Sequence, residues 1–480
     1  MNKLNNKIGI NIYQTFFLVI ILFFSLVQPF TQLEDPDMFW HIKTGQYIIE
    51  NIKIPTTDIF SYYGIEHNFS WIAHEWLSDI VFAILYNIGG YSLLRFFPTI
   101  MLLIIFSYIQ KKSKDIIPNC CEKYIWYFFA FLSICSLSEV RAHMFSWLFC
   151  LITIFTLFDF YEDKNNKLFL LPIISTLWVN MHGGSSSLLF VLILFFFIFS
   201  LFNIKFLNFE NKKLNKDKSI KLLSILFICI ITALINPNTY KILLYPIENM
   251  QDTLMLSVIA EWHSPNFHTI DGLMIFAILA IIVLIFTITD KKISILDFLL
   301  VGAFAYLTLK SIRQVVYLAI IATPIMLKYM PQTVKLKSNK TFGNTIIILF
   351  VILFCIINML TVSQLPIINQ EMYPSATVIQ KLEEINPERV LNNYDWGGYL
   401  IKESKIKPFI DGRADVYSKH TLADYTSLMY LNDGWEKILE KYDFDSIFMQ
   451  TNNMFTREVS KLSNWEVYYS DPLATILIRK

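Results

Sequence analysis

The sequence predicts a multi-span α-helical membrane protein of about 11 transmembrane helices that ends in a small C-terminal extracytoplasmic α/β domain. Three observations carry the prediction. Hydrophobic residues make up 55% of the 480 and charged residues only 16%, with 42 phenylalanines, whereas a soluble globular chain carries about 25% charge. Apolar segments recur through residue 362, at lengths approaching the roughly 20 residues that a helix needs to cross a bilayer. Beyond 362 the hydropathy falls, and short strand-like pieces alternate with helical ones. The net charge of +1 argues against a nucleic-acid binder. The six cysteines, Cys120, Cys121, Cys135, Cys150, Cys229 and Cys355, lie in or beside apolar segments without a C-x-x-C pair. They read as small hydrophobes, with no disulfide framework or metal knuckle.

The first apolar run follows a basic start, Lys3 and Lys7, and no small-residue cleavage site follows it. It is therefore expected to stay as the first transmembrane helix and not to be removed as a signal peptide. Spans are expected near 13–30, 92–110, 124–137, 144–160, 168–180, 185–204, 221–236, 272–289, 294–309, 314–329 and 344–362. The lysines 111, 112, 114, 164, 167, 212, 213, 216, 218, 291, 292, 335, 337 and 340 then all fall on the side of the N-terminus. By the positive-inside rule that side is cytoplasmic. The apolar stretch 77–90, LSDIVFAILYNIGG, would invert every later loop if it crossed. It is read as a helix, 77–88, lying at the outer interface. The expected organisation is a transmembrane domain over 1–362, whose first extracytoplasmic loop is 31–91, and an extracytoplasmic α/β domain over 363–480. In that domain a helix is expected over 371–384, and strands near 388–392, 407–410, 446–449, 466–469 and 474–478.

Polar residues that are costly near apolar segments collect on the outer side. The first loop supplies Asp35, Asp37, His41, Asp58, His74 and Glu75, and SEVRAH supplies Glu139, Arg141 and His143. WVNMHGG adds Asn180 and His182, EWH adds Glu261 and His263, and LKSIRQ adds Lys310 and Arg313. In an extended segment Asp35 and Asp37 would point the same way, so the two could hold a divalent cation or divide the roles of base and orienter. The alternative is a solvated acidic turn. His74-Glu75 offers a second acidic centre or an interfacial cap; it lacks the second histidine of a zinc-protease motif. Arg141, His143, Lys310 and Arg313 suit a cationic clamp for phosphate, against snorkelling to head groups. Asn180 and His182 are placed to orient a polar substrate. In the tail, Asp411, Arg413 and Asp415 would emerge at the end of a strand and contact ligand, or else form a salt-bridged turn. Trp396 is either a stacking surface or a packing residue.

The acidic Asp35-Pro36-Asp37 directly after the first apolar run, followed by the interfacial helix, resembles the polyprenyl-phosphate-dependent glycosyltransferases of the GT-C superfamily. DPDMFWHIKTGQYI, IPTTDIFSY, HEWLSD and FIDGRADVY look like a largely uncharacterised bacterial branch of it. The oligosaccharyltransferase signature W-W-D-x-G is absent from the sequence. The resemblance implies a GT-C-like fold in the plasma membrane, with a cytoplasmic N-terminus and transfer of a sugar from a polyprenyl-phosphate-linked donor at the outer face. The acceptor would be a glycan, lipid or protein.

Asp35, Asp37 and Glu75 would then be catalytic, with Asp35 first in line as base. His41, His74, Arg141, His143, Asn180, His182, Lys310, Arg313, Trp396, Asp411 and Arg413 would bind substrate. A divalent metal, Mg2+ or Mn2+, on Asp35 and Asp37 is compatible with the resemblance, whose members differ in metal dependence. The alternatives are transfer of another lipid-phosphate-linked group, ligation of a longer glycan, a lipid-linked substrate transporter and a non-catalytic envelope protein. A transporter would carry acids near the bilayer midplane, and the sequence concentrates its acids at one surface.

Overall fold

A computed structural model describes residues 32–118, 120–331, 353 and 367–480. The described residues are about 62% helical, with a small sheet region at the C-terminus. It packs as two compact units. One contains 95–243 and 259–331; the other contains 32–94, 244–258 and 367–480. The sequence reading divides the chain at 362 and counts the first loop with the membrane part. In the structure the first loop packs with the tail.

The second unit begins with α1 (Asp37–Asn51); the sequence reading takes Asp35–Asp37, at its start, as extended. Pro36, at φ −67° and ψ −25°, opens the helix, where its fixed φ and missing N–H cost little. Asp37 in the first turn favours the helix dipole. The helix α2 (Trp76–Leu94) packs along α1. The axes approach closely because Gly45 has no side chain: a Cβ there would lie 2.0 Å from the Asp79 carbonyl oxygen. The backbone of α2 breaks at Gly89 and Gly90, the latter at φ 59°.

In the first unit α3 (Phe97–Ser113), α4 (Cys121–Cys135), α5 (His143–Tyr161), α6 (Leu170–Met181), α7 (Gly183–Ser200), α8 (Lys216–Ala233), α9 (Ile270–Ile288), α10 (Ile295–Lys310) and α11 (Val315–Tyr329) each coincide with an expected apolar segment. The expected spans 13–30 and 344–362 lie outside the described residues. Among the described residues five helical segments are long and apolar enough to cross a membrane: α2, α5, α7, α9 and Ile312–Tyr329. This supports a membrane protein.

The helix α11 is the centre of the unit, buried along nearly its whole length and packed against α4, α5, α9 and α10. Trp126 of α4 donates its indole N–H to Thr323 Oγ1 of α11 at 3.0 Å. A helix that is apolar all round belongs in such a core. By contrast, α9 leaves Ile270, Leu273, Phe276, Val283, Leu284 and Ile288 exposed, a face that requires an apolar surrounding.

In the tail, Ser375 Oγ accepts from Val378 N and caps α12 (Ala376–Ile385). Four strands pair in the order Val390–Asn392, Ser446–Gln450, Ala474–Arg479, Trp465–Ser470. The first pair is parallel and the others antiparallel. The expected strand at 407–410 does not form. Asn392 Oδ1 accepts from Phe409 N (2.7 Å) and Ile410 N (3.3 Å), and its Nδ2 donates to the Ile410 carbonyl (2.9 Å). One buried side chain thus satisfies the backbone that a neighbouring strand would otherwise have to pair.

Candidate functional site

The sequence-predicted residues fall into two clusters, one in each unit. In the second unit the N-terminus of α1 meets the motif segments of the tail. Asp35 is 7% exposed, and its Oδ1 accepts from Asp37 N at 3.0 Å, tying the turn that starts the helix. Asp37 Oδ1 accepts from the Trp40 indole N–H at 3.0 Å. Gly412 lies directly against that oxygen, since a Cβ there would sit 1.9 Å away. The Gly412 carbonyl in turn accepts from the Tyr394 hydroxyl (3.1 Å). Hence Asp35 and Asp37 do not extend side by side: the first turn of α1 separates their tasks.

One residue beyond Trp40, the imidazole of His41 stacks on its indole (ring centroids 3.7 Å apart) and joins α1 to α2. Its Nδ1 lies 2.6 Å from Asp79 Oδ1, and its Nε2 lies 3.8 Å from Glu75 Oε2. Glu75, the residue before α2, is four residues from Asp79 and accepts from Asp79 N through its carbonyl at 3.0 Å, which brings the two acids to the same side of the helix start. Burial, with Glu75 nearby, pushes the Asp79 carboxyl well up, so Asp79 and His41 Nδ1 share a proton between them while Nε2 faces Glu75. Glu75 Oε2 also lies 3.9 Å from His74 Nδ1. The His74 ring is 4.4 Å from the ring of Tyr245, whose hydroxyl donates to Asp415 Oδ2 (3.0 Å). Burial pushes both the Tyr245 hydroxyl and the Asp415 carboxyl up from their ordinary values. Asp79, His41, Glu75, His74, Tyr245 and Asp415 thus form a row of neighbouring titratable groups, hydrogen-bonded at its two ends.

Arg413 is 2% exposed. It grips Asp411 with two hydrogen bonds (Nε to Oδ1 2.8 Å, Nη2 to Oδ2 2.6 Å) and pairs with Asp58 Oδ1 at 2.8 Å. Tyr417 Oη lies 2.9 Å from Nη2, and the Trp71 ring 4.6 Å from the guanidinium. Burial opposes the charge, but Asp411 and Asp58 hold the proton on more firmly than usual. Asp411 and Arg413 are therefore engaged with each other and with the first loop, and the contact with ligand expected of them gives way to a buried ion-pair network. Trp396 is 1% exposed, donates to the Met372 carbonyl (2.8 Å) and packs on Phe448. The stacking surface expected of it is corrected to a core residue beneath the sheet.

In the first unit Arg141 and Arg313 converge on one acid. Glu261 Oε1 lies 2.6 Å from Arg141 Nη1, and its Oε2 lies 3.5 Å from Arg313 Nη1. Burial pushes the Glu261 carboxyl up, but Arg141 and Arg313 more than offset it and hold it at about 2. His143 is buried nearby, its Nε2 3.1 Å from the Leu137 carbonyl. Lys310 ends α10 with its side chain exposed. Asn180 donates to the Thr176 and Ile235 carbonyls (2.7 and 2.8 Å), and His182 Nδ1 is 2.7 Å from both Ser146 Oγ and Ser185 Oγ. Both residues are buried, with hydrogen bonds to neighbouring segments.

Sequence reasoning passed over Asp79 and Tyr245, and it assigned no role to Asp58 or Glu261. The spacing of Glu75 and Asp79 was the available signal for Asp79. Among the described residues no group of three or more His, Cys, Asp or Glu side chains is arranged to hold a metal. Asp35 and Asp37 each have one oxygen engaged by an N–H donor. No family model matches the chain, and no curated protein matches it.

Proposed function

We propose that the protein is a GT-C-like glycosyltransferase that moves a sugar from a polyprenyl-phosphate-linked donor to an acceptor hydroxyl at the outer face of the plasma membrane. In this reading the chain crosses about 11 times, with a cytoplasmic N-terminus and the α/β tail outside. The observation that supports it best is the contact of Glu75 with two imidazoles, His41 at 3.8 Å and His74 at 3.9 Å, with Asp79 behind His41.

Glu75 serves as the base. It takes the acceptor hydroxyl proton as that oxygen attacks the anomeric carbon in line. The bond from that carbon to the phosphate oxygen breaks, and the electron pair leaves with the lipid phosphate. His41 Nε2 then receives the proton, and Asp79 stabilises the imidazolium. Asp35, with one oxygen engaged by the backbone, holds the turn that presents Asp37. In the first unit, taken by itself, Arg141 and Arg313 form a pair of guanidiniums whose forks suit phosphate oxygens.

The test is a native mass spectrum of gently purified wild-type and E75Q protein. Retention by E75Q of a polyprenyl-phosphate species with a resolvable sugar mass is the expected result, because an amide cannot act as base and the donor stays loaded. Bulk phospholipid alone in both proteins would overturn the reading.

A further inference from the structure

We propose that Glu261 is a resident anion: it occupies, between Arg141 and Arg313, the position of a phosphate-ester anion, and it leaves when that ligand arrives. Guanidinium forks accept carboxylate and phosphate oxygens alike, so a carboxylate that divides its two oxygens between two arginines marks where a phosphate would divide its own. The two arginines come from different segments, Arg141 just before α5 and Arg313 in the 3-10 turn before α11, and Glu261 is the acid that both share.

The grip is uneven. Arg141 Nη1 hydrogen-bonds Oε1 at 2.6 Å, whereas the 3.5 Å contact from Arg313 is an ion pair beyond ordinary hydrogen-bond length. Glu261 stands on the three-residue 3-10 turn Ala260–Trp262, which has no side-chain cap. That turn is tied to its surroundings through backbone atoms: Ser311 Oγ donates to the Glu261 carbonyl at 3.0 Å, and Ile312 N to the His263 carbonyl at 3.0 Å. The side chain can therefore swing while its segment stays in place.

When Glu261 swings out, Arg141 keeps Glu139 at 3.8 Å. Arg313 keeps only the Trp262 ring, 5.8 Å from its guanidinium carbon, and has no other acidic partner among the described residues. An incoming anion meets that need. His143 adds a second polar group. Its Nε2 faces the Leu137 carbonyl, which can only accept, so Nε2 carries the proton and Nδ1 is a buried acceptor without a hydrogen-bond partner among the described residues. A hydroxyl on phosphorus or on an attached sugar supplies the missing donor.

This inference rests on the phosphate-bearing donor proposed above, and one experiment separates the two. Binding of decaprenyl phosphate to the full chain is measured in neutral phosphatidylcholine nanodiscs, with decaprenol as uncharged control and inorganic diphosphate as soluble probe. Wild type, E261Q, E261D and E261Q/R313Q are compared. E261Q should bind decaprenyl phosphate at least about fivefold more tightly than wild type. E261D, which keeps the competing charge, should resemble wild type, and R313Q should abolish the gain. Decaprenol binding should not change.

A gain for diphosphate alone upholds the exchange at Glu261 and sinks the lipid-donor reading. Equal binding of decaprenyl phosphate by wild type and E261Q sinks the exchange and leaves the donor reading standing. Weaker binding by E261Q, or no binding of either anion by any variant, overturns the proposal.

Discussion

Arg413 is a charge that the fold has taken out of water, and its two acidic partners come from distant parts of the sequence, Asp58 in the first loop and Asp411 beside it. Replacing it by glutamine leaves two buried carboxylates without their cation, which costs about 3–5 kcal/mol for a pair of this kind. R413Q should accordingly lower the thermal midpoint in detergent by well over the shift of any exposed substitution. R413K should rescue it poorly, because an ammonium cannot make the two parallel hydrogen bonds to Asp411. A wild-type midpoint for R413Q would mean that the network adds nothing.

Glu261 supplies the pH counterpart. Its carboxyl is held at about 2 against an ordinary 4.5, so the charged form is favoured in the folded state. The stability that it lends is full above about pH 4.5 and is lost as pH falls through about 2. With the side chain 27% exposed, the contribution is discounted to about 1–2 kcal/mol. Melting curves from pH 6 to 2 should show a loss in wild type that E261Q lacks; parallel curves would remove the ion pair from the account.

At the level of elements, the start of α1 shows how a motif can be legible while its conformation is not. Asp35-Pro36-Asp37 reads in the sequence as an extended pair of acids or a solvated turn, and in the structure it is a helix entrance. What decides it is Asp35 Oδ1 accepting from Asp37 N, a local bond that competes with the extended form. Capping and chemistry can be separated by substitution. D35N keeps an oxygen acceptor and should leave stability within about 0.5 kcal/mol, whereas D35A should lose about 1 kcal/mol. If D35N folds normally and still transfers sugar, Asp35 holds the turn and Glu75 remains the base; loss of turnover in a stable D35N would return the base to Asp35.

The apolar helices were legible because their runs leave no other period to follow. Trp396 and the segment 407–410 were not, because whether a tryptophan faces out or a strand finds a partner depends on Phe448 and Asn392, which reach them only in the folded sheet. Asp79 stayed hidden for a similar reason. Its meaning lies in His41, brought to it by the close approach at Gly45.

For the whole molecule, the orientation of every loop turns on one helix. By length and composition Trp76–Leu94 could cross a membrane, and a crossing there would place Lys111, Lys112, Lys114 and the later basic loops outside, against the positive-inside rule. The break at Gly89 and Gly90 leaves an unbroken rod from Trp76 to Ile88, about 20 Å at 1.5 Å per residue, against a hydrocarbon core of about 30 Å. The rod also carries Asp79, buried and paired with His41, on the face towards α1. An interfacial helix satisfies each of these facts, and it predicts opposite accessibility for two exposed positions. Lys205, in the short hairpin Ile204–Asn211 after α7, lies on the cytoplasmic side in this reading, and Tyr468, 42% exposed in the tail, lies outside. In a cysteine-free background, Y468C should react with a membrane-impermeant maleimide in intact cells, and K205C only after permeabilisation. Labelling of K205C in intact cells would make Trp76–Leu94 a crossing helix and turn the basic loops outward. Protection of Y468C would put the tail, with Glu75 and its histidines, on the cytoplasmic side, where the proposed outer-face transfer could not take place.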